Sequence, residues 1–319
     1  MAVVAESQNA PATASAPRRT LRERLTANPV ILKELRGRMR GNRAFVVLTV
    51  YLSLLSIFTV LLYLAYAANS RATLSPNQQL VGKIVFGGVV GIELFLVCFL
   101  APAFTAGAIS GERERQTYDL LRTTLLPARA LVLGKLTAAL LFIILLLLAA
   151  VPLQSLAFLL GGVAIEEVLI ALAVLLTTAL GFGSVGIFFS SLMQRTLGAS
   201  VLTYAVALFA TLGLPLLLLI ALPLYDAVFF SSNSPSPLVE AFLVYFMLFL
   251  ISLNPLATAV ATEIVLVEEQ SAFFFQYSLN SSVGTLPLVS PWVIYVVAYV
   301  LLSIVLVSLG IKIVRQVQE

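Results

Sequence analysis

The sequence predicts an all-α polytopic membrane protein. It has six transmembrane helices, an N-terminal interfacial amphipathic helix and an external re-entrant hairpin before the last span. Three observations predict this. Of 319 residues, 60% are hydrophobic and 11% charged, with mean hydropathy +1.04, whereas soluble domains are nearer half apolar and a quarter charged. Six stretches reach the ~20 mostly apolar residues needed to cross a bilayer core. Lys and Arg gather on alternate loops and leave the acidic residues to the others.

Residues 1–20 are rich in Ala, Ser and Pro. They lack the apolar core of a signal peptide and read as a disordered cytoplasmic tail ahead of one transmembrane domain over 21–319. There is no His, and the single Cys98 lies in an apolar run. A disulfide framework and a Cys/His metal site are therefore excluded, and the commonest general base is missing.

An amphipathic helix is predicted over 28–43. Asn28 suits a cap and Pro29 the first helical position. Ile31, Leu32, Leu35 and Met39 share one face, and Lys33, Arg36, Arg40 and Arg43 lie largely on the other. Such a helix lies in the interface with its cations near anionic lipid headgroups. A nucleic-acid role is not indicated, because a basic domain with interleaved aromatics is absent.

The spans fall at about 44–67, 83–109, 132–160, 168–192, 198–222 and 291–314. Nine Lys and Arg residues between Arg18 and Arg43 precede the first, and Arg113, Arg115, Arg122, Arg129 and Lys135 separate the second from the third. Glu166, Glu167, Asp226, Glu240, Glu263, Glu268 and Glu269 sit on the other side. This bias puts both termini in the cytoplasm and requires an even number of crossings. The short apolar stretch 238–253 therefore should not cross fully. Asn254-Pro255 ends it, because proline lacks a donor and disfavours helix in the residue before it. Residues 223–290 are read as an external region whose hairpin packs on other helices or lines a cavity.

Within the spans, Glu93 is the one acidic residue at depth. A charge there costs about 2.5–3.5 kcal/mol on insertion scales, so it should face protein or water. Gly181-Phe182-Gly183-Ser184-Val185-Gly186 matches a dinucleotide-binding pattern, but it lies mid-span with no strand before it. Small residues there, and Gly87, Gly88 and Gly91, are read as sites where helices approach closely. Tyr51, Tyr63, Tyr66, Trp292, Tyr295 and Tyr299 lie in or near span ends, where interfacial anchoring accounts for several such aromatics.

The charged island over 111–124 interrupts this apolar chain. Its Glu112, Arg115 and Asp119, and its Glu114 and Tyr118, stand at helical neighbour spacing. It reads as a short exposed helix able to meet a water-soluble partner. The string Ile109-Ser110-Gly111-Glu112-Arg113-Glu114-Arg115, with Thr117, Asp119, Leu120 and Leu121, then Leu131-Val132-Leu133-Gly134-Lys135-Leu136, resembles the hallmark region of ABC-2 type transporter permeases. The stretch from Asn28 to Gly41 resembles the start of a bacterial branch of that family. Gln116 departs from the pattern where many members have Gly, and Leu125 where many have Pro.

The resemblance implies a membrane-spanning permease subunit, a homodimer or a heterodimer with a second permease, that binds a separate ABC ATPase subunit. Glu112, Arg113, Glu114, Arg115, Thr117, Tyr118 and Asp119 would then be the ATPase-coupling residues. ATP and Mg would be held by the partner ATPase and no cofactor by this chain, which is not itself an enzyme. Its sequence has no Gly-x-x-x-x-Gly-Lys-Ser/Thr phosphate cradle. The expected setting is the bacterial plasma membrane and the expected direction export, with an unidentified substrate. Two alternatives stand beside it: an ATPase-docked scaffold or mechanotransmitter, which would share the coupling helix, and a secondary transporter, which would want several intramembrane carboxylates where only Glu93 qualifies.

Overall fold

The computed structural model describes residues 29–40, 42–70, 78–116, 127–217, 219–220, 223, 237–269, 271–278 and 285–318. The helices are α1 (Pro29–Met39), α2 (Asn42–Ser70), α3 (Gln78–Thr105), α4 (Ser110–Glu114), α5 (Ala128–Leu160), α6 (Ile165–Leu192), α7 (Thr196–Leu208), α8 (Pro237–Leu253), α9 (Pro255–Glu268) and α10 (Pro291–Gln318). α7 runs on through a π-helical turn, Phe209–Gly213, and the continuous helix reaches Leu217. Among the described residues, six helices are long and apolar enough to cross a membrane. They correspond to the six expected spans.

The core sits where α3, α5, α6 and α10 meet. Leu94, Val97, Ile143, Leu147, Val174, Phe182 and Tyr295 are buried together there. α6 is nested among its neighbours because its glycines leave room. A Cβ on Gly181 would stand 2.4 Å from Tyr299, and one on Gly186 would stand 2.0 Å from Thr105 Oγ1. The close-approach reading of this stretch holds. α5 ends at Gly161, whose φ of 87° lies in the left-handed region that glycine adopts freely. By contrast α2 and the helix over 196–217 turn many apolar side chains outward, among them Phe45, Val50, Leu54, Leu197, Val201 and Leu212.

Val30 of α1, Ile109, Ala128 of α5 and Val314 of α10 pack in one cluster. Helix α1, the start of α5 and the end of α10 therefore share one end of the bundle, called here the termini end. α3 and α6 begin at the opposite end, where Lys83 and Glu167 form an ion pair of 2.9 Å.

Helices α8 and α9 meet in a sharp break. Asn254 Oδ1 accepts from the Ala257 N–H at 2.7 Å and caps α9, with Pro255 in the first turn. Its amide nitrogen donates to the carbonyls of Ala210 and Thr211, at 2.6 and 3.0 Å. Those two carbonyls are the ones that Pro215, four and five residues on, cannot reach, since it has no N–H. The freed acceptors of α7 are thus satisfied from another element, as buried carbonyls must be. Tyr299 Oη donates to the Leu253 carbonyl at 2.9 Å and ties the same break to α10.

Two expectations need correction. The all-α reading missed a two-stranded antiparallel hairpin, Phe274–Ser278 (β1) with Thr285–Val289 (β2), in the register Phe274 to Val289 and Ser278 to Thr285. Tyr295 and Tyr299 are buried core residues and not interfacial anchors: Tyr295 Oη lies 2.7 Å from Thr178 Oγ1. Trp292 donates to the Ala272 carbonyl at 2.7 Å and holds the hairpin's approach to α10. The expected tail over 1–20, and most of 223–236, lie outside the described residues.

Candidate functional site

The charged side chains of the termini end converge on α4. It is one turn and a half of helix, Ser110–Glu114; of the expected 111–124, residues 117–124 lie outside the described residues. Gln116 follows with φ 58°, a left-handed conformation that strains any residue with a Cβ. The helix ends there for that reason, and the departure from Gly noted in the sequence falls on this residue. Thr117, Tyr118 and Asp119 lie outside the described residues.

Each described charge of α4 has a defined place. Glu112 Oε1 accepts from Lys135 Nζ of α5 at 2.8 Å, and Lys135 also donates to Glu34 of α1 at 3.0 Å. Lys135 is only 3% exposed, so two carboxylates compensate the cost of burying one ammonium. Arg113 donates to the Ser191 carbonyl at 2.8 Å, at the end of α6. Glu114 accepts from the Thr196 N–H at 3.0 Å and from its hydroxyl at 2.6 Å. It thereby supplies the acceptor that the start of α7 lacks. Arg115 and Gln116 are exposed.

The start of α4 is sealed in the same way. Ser190 Oγ of α6 accepts from the backbone N–H groups of Ile109 and Ser110, at 2.8 and 3.0 Å. These polar contacts attach a five-residue helix to α5, α6 and α7 at once, and Lys135 carries the link on to Glu34 of α1. A displacement of α4 must therefore move several helices or break charge-assisted bonds, which are stronger than neutral ones.

Helix α1 lies against α5 through Val30 and Ile31, both buried. Lys33, Arg36 and Arg40 are exposed and line a shallow groove with Leu32 and Gly37. The Arg43 side chain lies outside the described set. Arg38, grouped earlier only with the basic flank, turns inward. It donates to the Phe104 carbonyl at 2.7 Å and its guanidinium stands 5.5 Å from the Phe104 ring centre. Burial lowers its pKa from the ordinary value, and the Glu34 carboxylate pulls the other way. Sequence reading missed Glu34, Arg38 and Lys135 as site residues. The partners of Lys135 stand 101 and 23 residues away along the chain, and no local spacing carries that pairing.

Glu93 lies apart from this group. It is fully buried between α3 and α5, and its carboxylate accepts from Gln154 Nε2 at 2.7 Å. The two side chains join the helices across the bundle.

Among known families, the one described as ABC-2 family transporter protein matches residues 29–313 of the chain. No curated protein matches it.

Proposed function

Because the chain belongs to the ABC-2 transporter family, we propose that it is a permease subunit whose α4 region receives a separate ABC ATPase. The observation that carries this reading is the attachment of α4. Contacts to α5, α6 and α7 converge on this short helix. A partner that pushes on the exposed Arg115 and Gln116 acts on three helices through one lever, and on α1 through Lys135. ATP binding would close a pair of ATPases and favour one arrangement of the bundle, to the extent that the ATPases bind the two arrangements with different affinity.

The finer points are parts of the same proposal. Two permease chains, identical or not, pair within the membrane, with ATP and Mg held on the ATPases. Glu112, Arg113 and Glu114 serve from behind, by fixing the dock, while Arg115, Thr117, Tyr118 and Asp119 meet the partner. Helix α1 lies in the interface with Lys33, Arg36, Arg40 and Arg43 toward anionic lipid. The termini face the cytoplasm of a bacterial cell, a reading supported by the positive loops on their side and by the resemblance of the Asn28–Gly41 stretch to a bacterial branch of the family. α8 and α9 form a re-entrant pair: at about 1.5 Å per residue the 17 residues of α8 span less than the ~30 Å hydrocarbon core. The substrate moves outward.

Co-purification of the full chain with the ABC ATPase encoded beside it tests the reading. Stable association is expected, together with its loss in Arg115→Glu while the variant keeps the thermal stability of the wild type. Failure of the wild-type chain to bind that ATPase would overturn it.

A further inference from the structure

The opposite end of the bundle holds a cavity of about 290 Å³ between α3, α6 and α9. Phe86, Val90, Ile170, Val174 and Leu256 make most of its wall. Two glycines of α3, Gly87 and Gly91, stand one helical turn apart on this wall. A Cβ built on either meets nothing within 4 Å. Gly88 between them differs, since its Cβ would stand 2.2 Å from Leu62. Close approach of helices therefore explains Gly88 and does not explain Gly87 or Gly91. Their missing side chains keep space open.

The cavity also has a polar end whose needs are unmet. Thr262 is 3% exposed and Glu167 is 7% exposed. Both line the cavity, and neither Thr262 Oγ1 nor Glu167 Oε2 has a hydrogen-bond partner among the described residues. Buried polar atoms are nearly always partnered, so two orphans lining one cavity, from α6 and α9, call for a third party. Glu263 lines the same space. Lys83 answers only the other oxygen of Glu167, which leaves two carboxylates against one ammonium. Burial, and then the Glu167 charge, hold the Glu263 carboxyl above its ordinary range, against the pull of Lys83. A second cation is what this end lacks.

We infer that the cavity binds an amphiphile made of a slender apolar body and a primary ammonium head. The ammonium has three donors, and Glu167 Oε2, Thr262 Oγ1 and the Glu263 carboxylate are three acceptors lining the space. The apolar body lies along Gly87 and Gly91. A carboxylate head would meet two like charges, and an alcohol would leave the charge unbalanced. Val260 and Ile264, 62% and 50% exposed, form the outer lip, so a molecule dissolved in lipid reaches the cavity sideways. The site uses residues of this chain alone and does not depend on the permease reading.

Dodecylamine carrying a diazirine on its chain, photoactivated with the full chain in nanodiscs, tests this. Labelling is expected on α3 and α9 peptides, with dodecylamine competing about tenfold better than dodecanoate or dodecanol. Gly91→Leu should abolish the label while leaving thermal stability intact, since it fills open space. Glu263→Gln should remove most of the preference for the amine. Lower labelling in phosphatidylethanolamine than in phosphatidylcholine discs would identify the occupant as a lipid headgroup's ammonium. Equal labelling would identify a free amine, and either result supports the site. Label spread over the outward faces of α2 and 196–217, equal competition by dodecanoate, or undiminished labelling of Gly91→Leu would overturn it.

Discussion

The two ends of this bundle handle buried charge in opposite ways. At the termini end, Lys135 meets two carboxylates, Arg38 a carbonyl and an aromatic ring, and Arg113 a carbonyl. At the other end, Glu167 has one oxygen paired, and neither its other oxygen nor Thr262 Oγ1 has a hydrogen-bond partner among the described residues. Glycines follow the same division. Gly186 is pressed against Thr105, while Gly87 and Gly91 face empty space. The lesson is one of degree: the termini end is tied together by paired charges, although Arg38 Nε has no hydrogen-bond partner among the described residues, whereas the other end keeps its orphaned acceptors beside an open cavity.

The sharpest way to break the contrast is Lys135→Met. It strands Glu34 and Glu112 side by side, and removal of one partner from a buried pair costs about 3–5 kcal/mol. These carboxylates are 24% and 19% exposed, so a loss near the lower figure is expected, read as a fall in thermal midpoint in nanodiscs. Restoring neutrality with Glu34→Gln and Glu112→Gln should recover most of it. If the single change is silent, the joint is not electrostatic.

Asn254→Ala comes next, at about 2 kcal/mol, since it orphans two carbonyls and one helix cap. Pro215→Ala in the same chain returns an N–H to α7, so the double variant should lose less than the sum of the singles. Strict additivity would refute the pairing of Pro215 with Asn254. Gly186→Ala should cost about 1–3 kcal/mol through overpacking against Thr105. Gly91→Ala, by contrast, should stabilise by about 0.5–1 kcal/mol, because helix propensity rises and nothing is displaced. Equal responses at the two glycines would erase the distinction between the ends. The smallest effect belongs to Gln116→Gly, a gain of up to about 1 kcal/mol in thermal stability from relief of the left-handed backbone.

What could be read from the sequence follows from the range of the forces involved. The six spans were legible because hydropathy is a local sum, and the break at Asn254-Pro255 because proline acts on its immediate neighbours. The hairpin at β1 and β2 was not. Its five-residue strands sit among apolar runs, and Phe273-Phe274-Phe275 reads equally well as helix. Tyr295 and Tyr299 looked interfacial because position along a span does not reveal which side faces the core. In the site, the charged island was visible as a departure from its surroundings. The inward turn of Glu112 and Arg113 was not, because it depends on Lys135, Ser191 and Glu34, which only the fold brings near. Gly87 and Gly91 carry the same ambiguity, since absence of a side chain serves contact and vacancy alike.

The joint between Asn254 and the carbonyls of Ala210 and Thr211 has one more consequence. A helix rises about 1.5 Å per residue, and a hydrogen bond tolerates only a few tenths of an ångström before it weakens. Sliding the α8–α9 pair along α7 by a single residue would therefore unseat both bonds together. The joint behaves as a detent on a sliding rod. It resists small drifts, and it leaves only whole steps to a neighbouring notch, should any motion of the bundle ever ask for one.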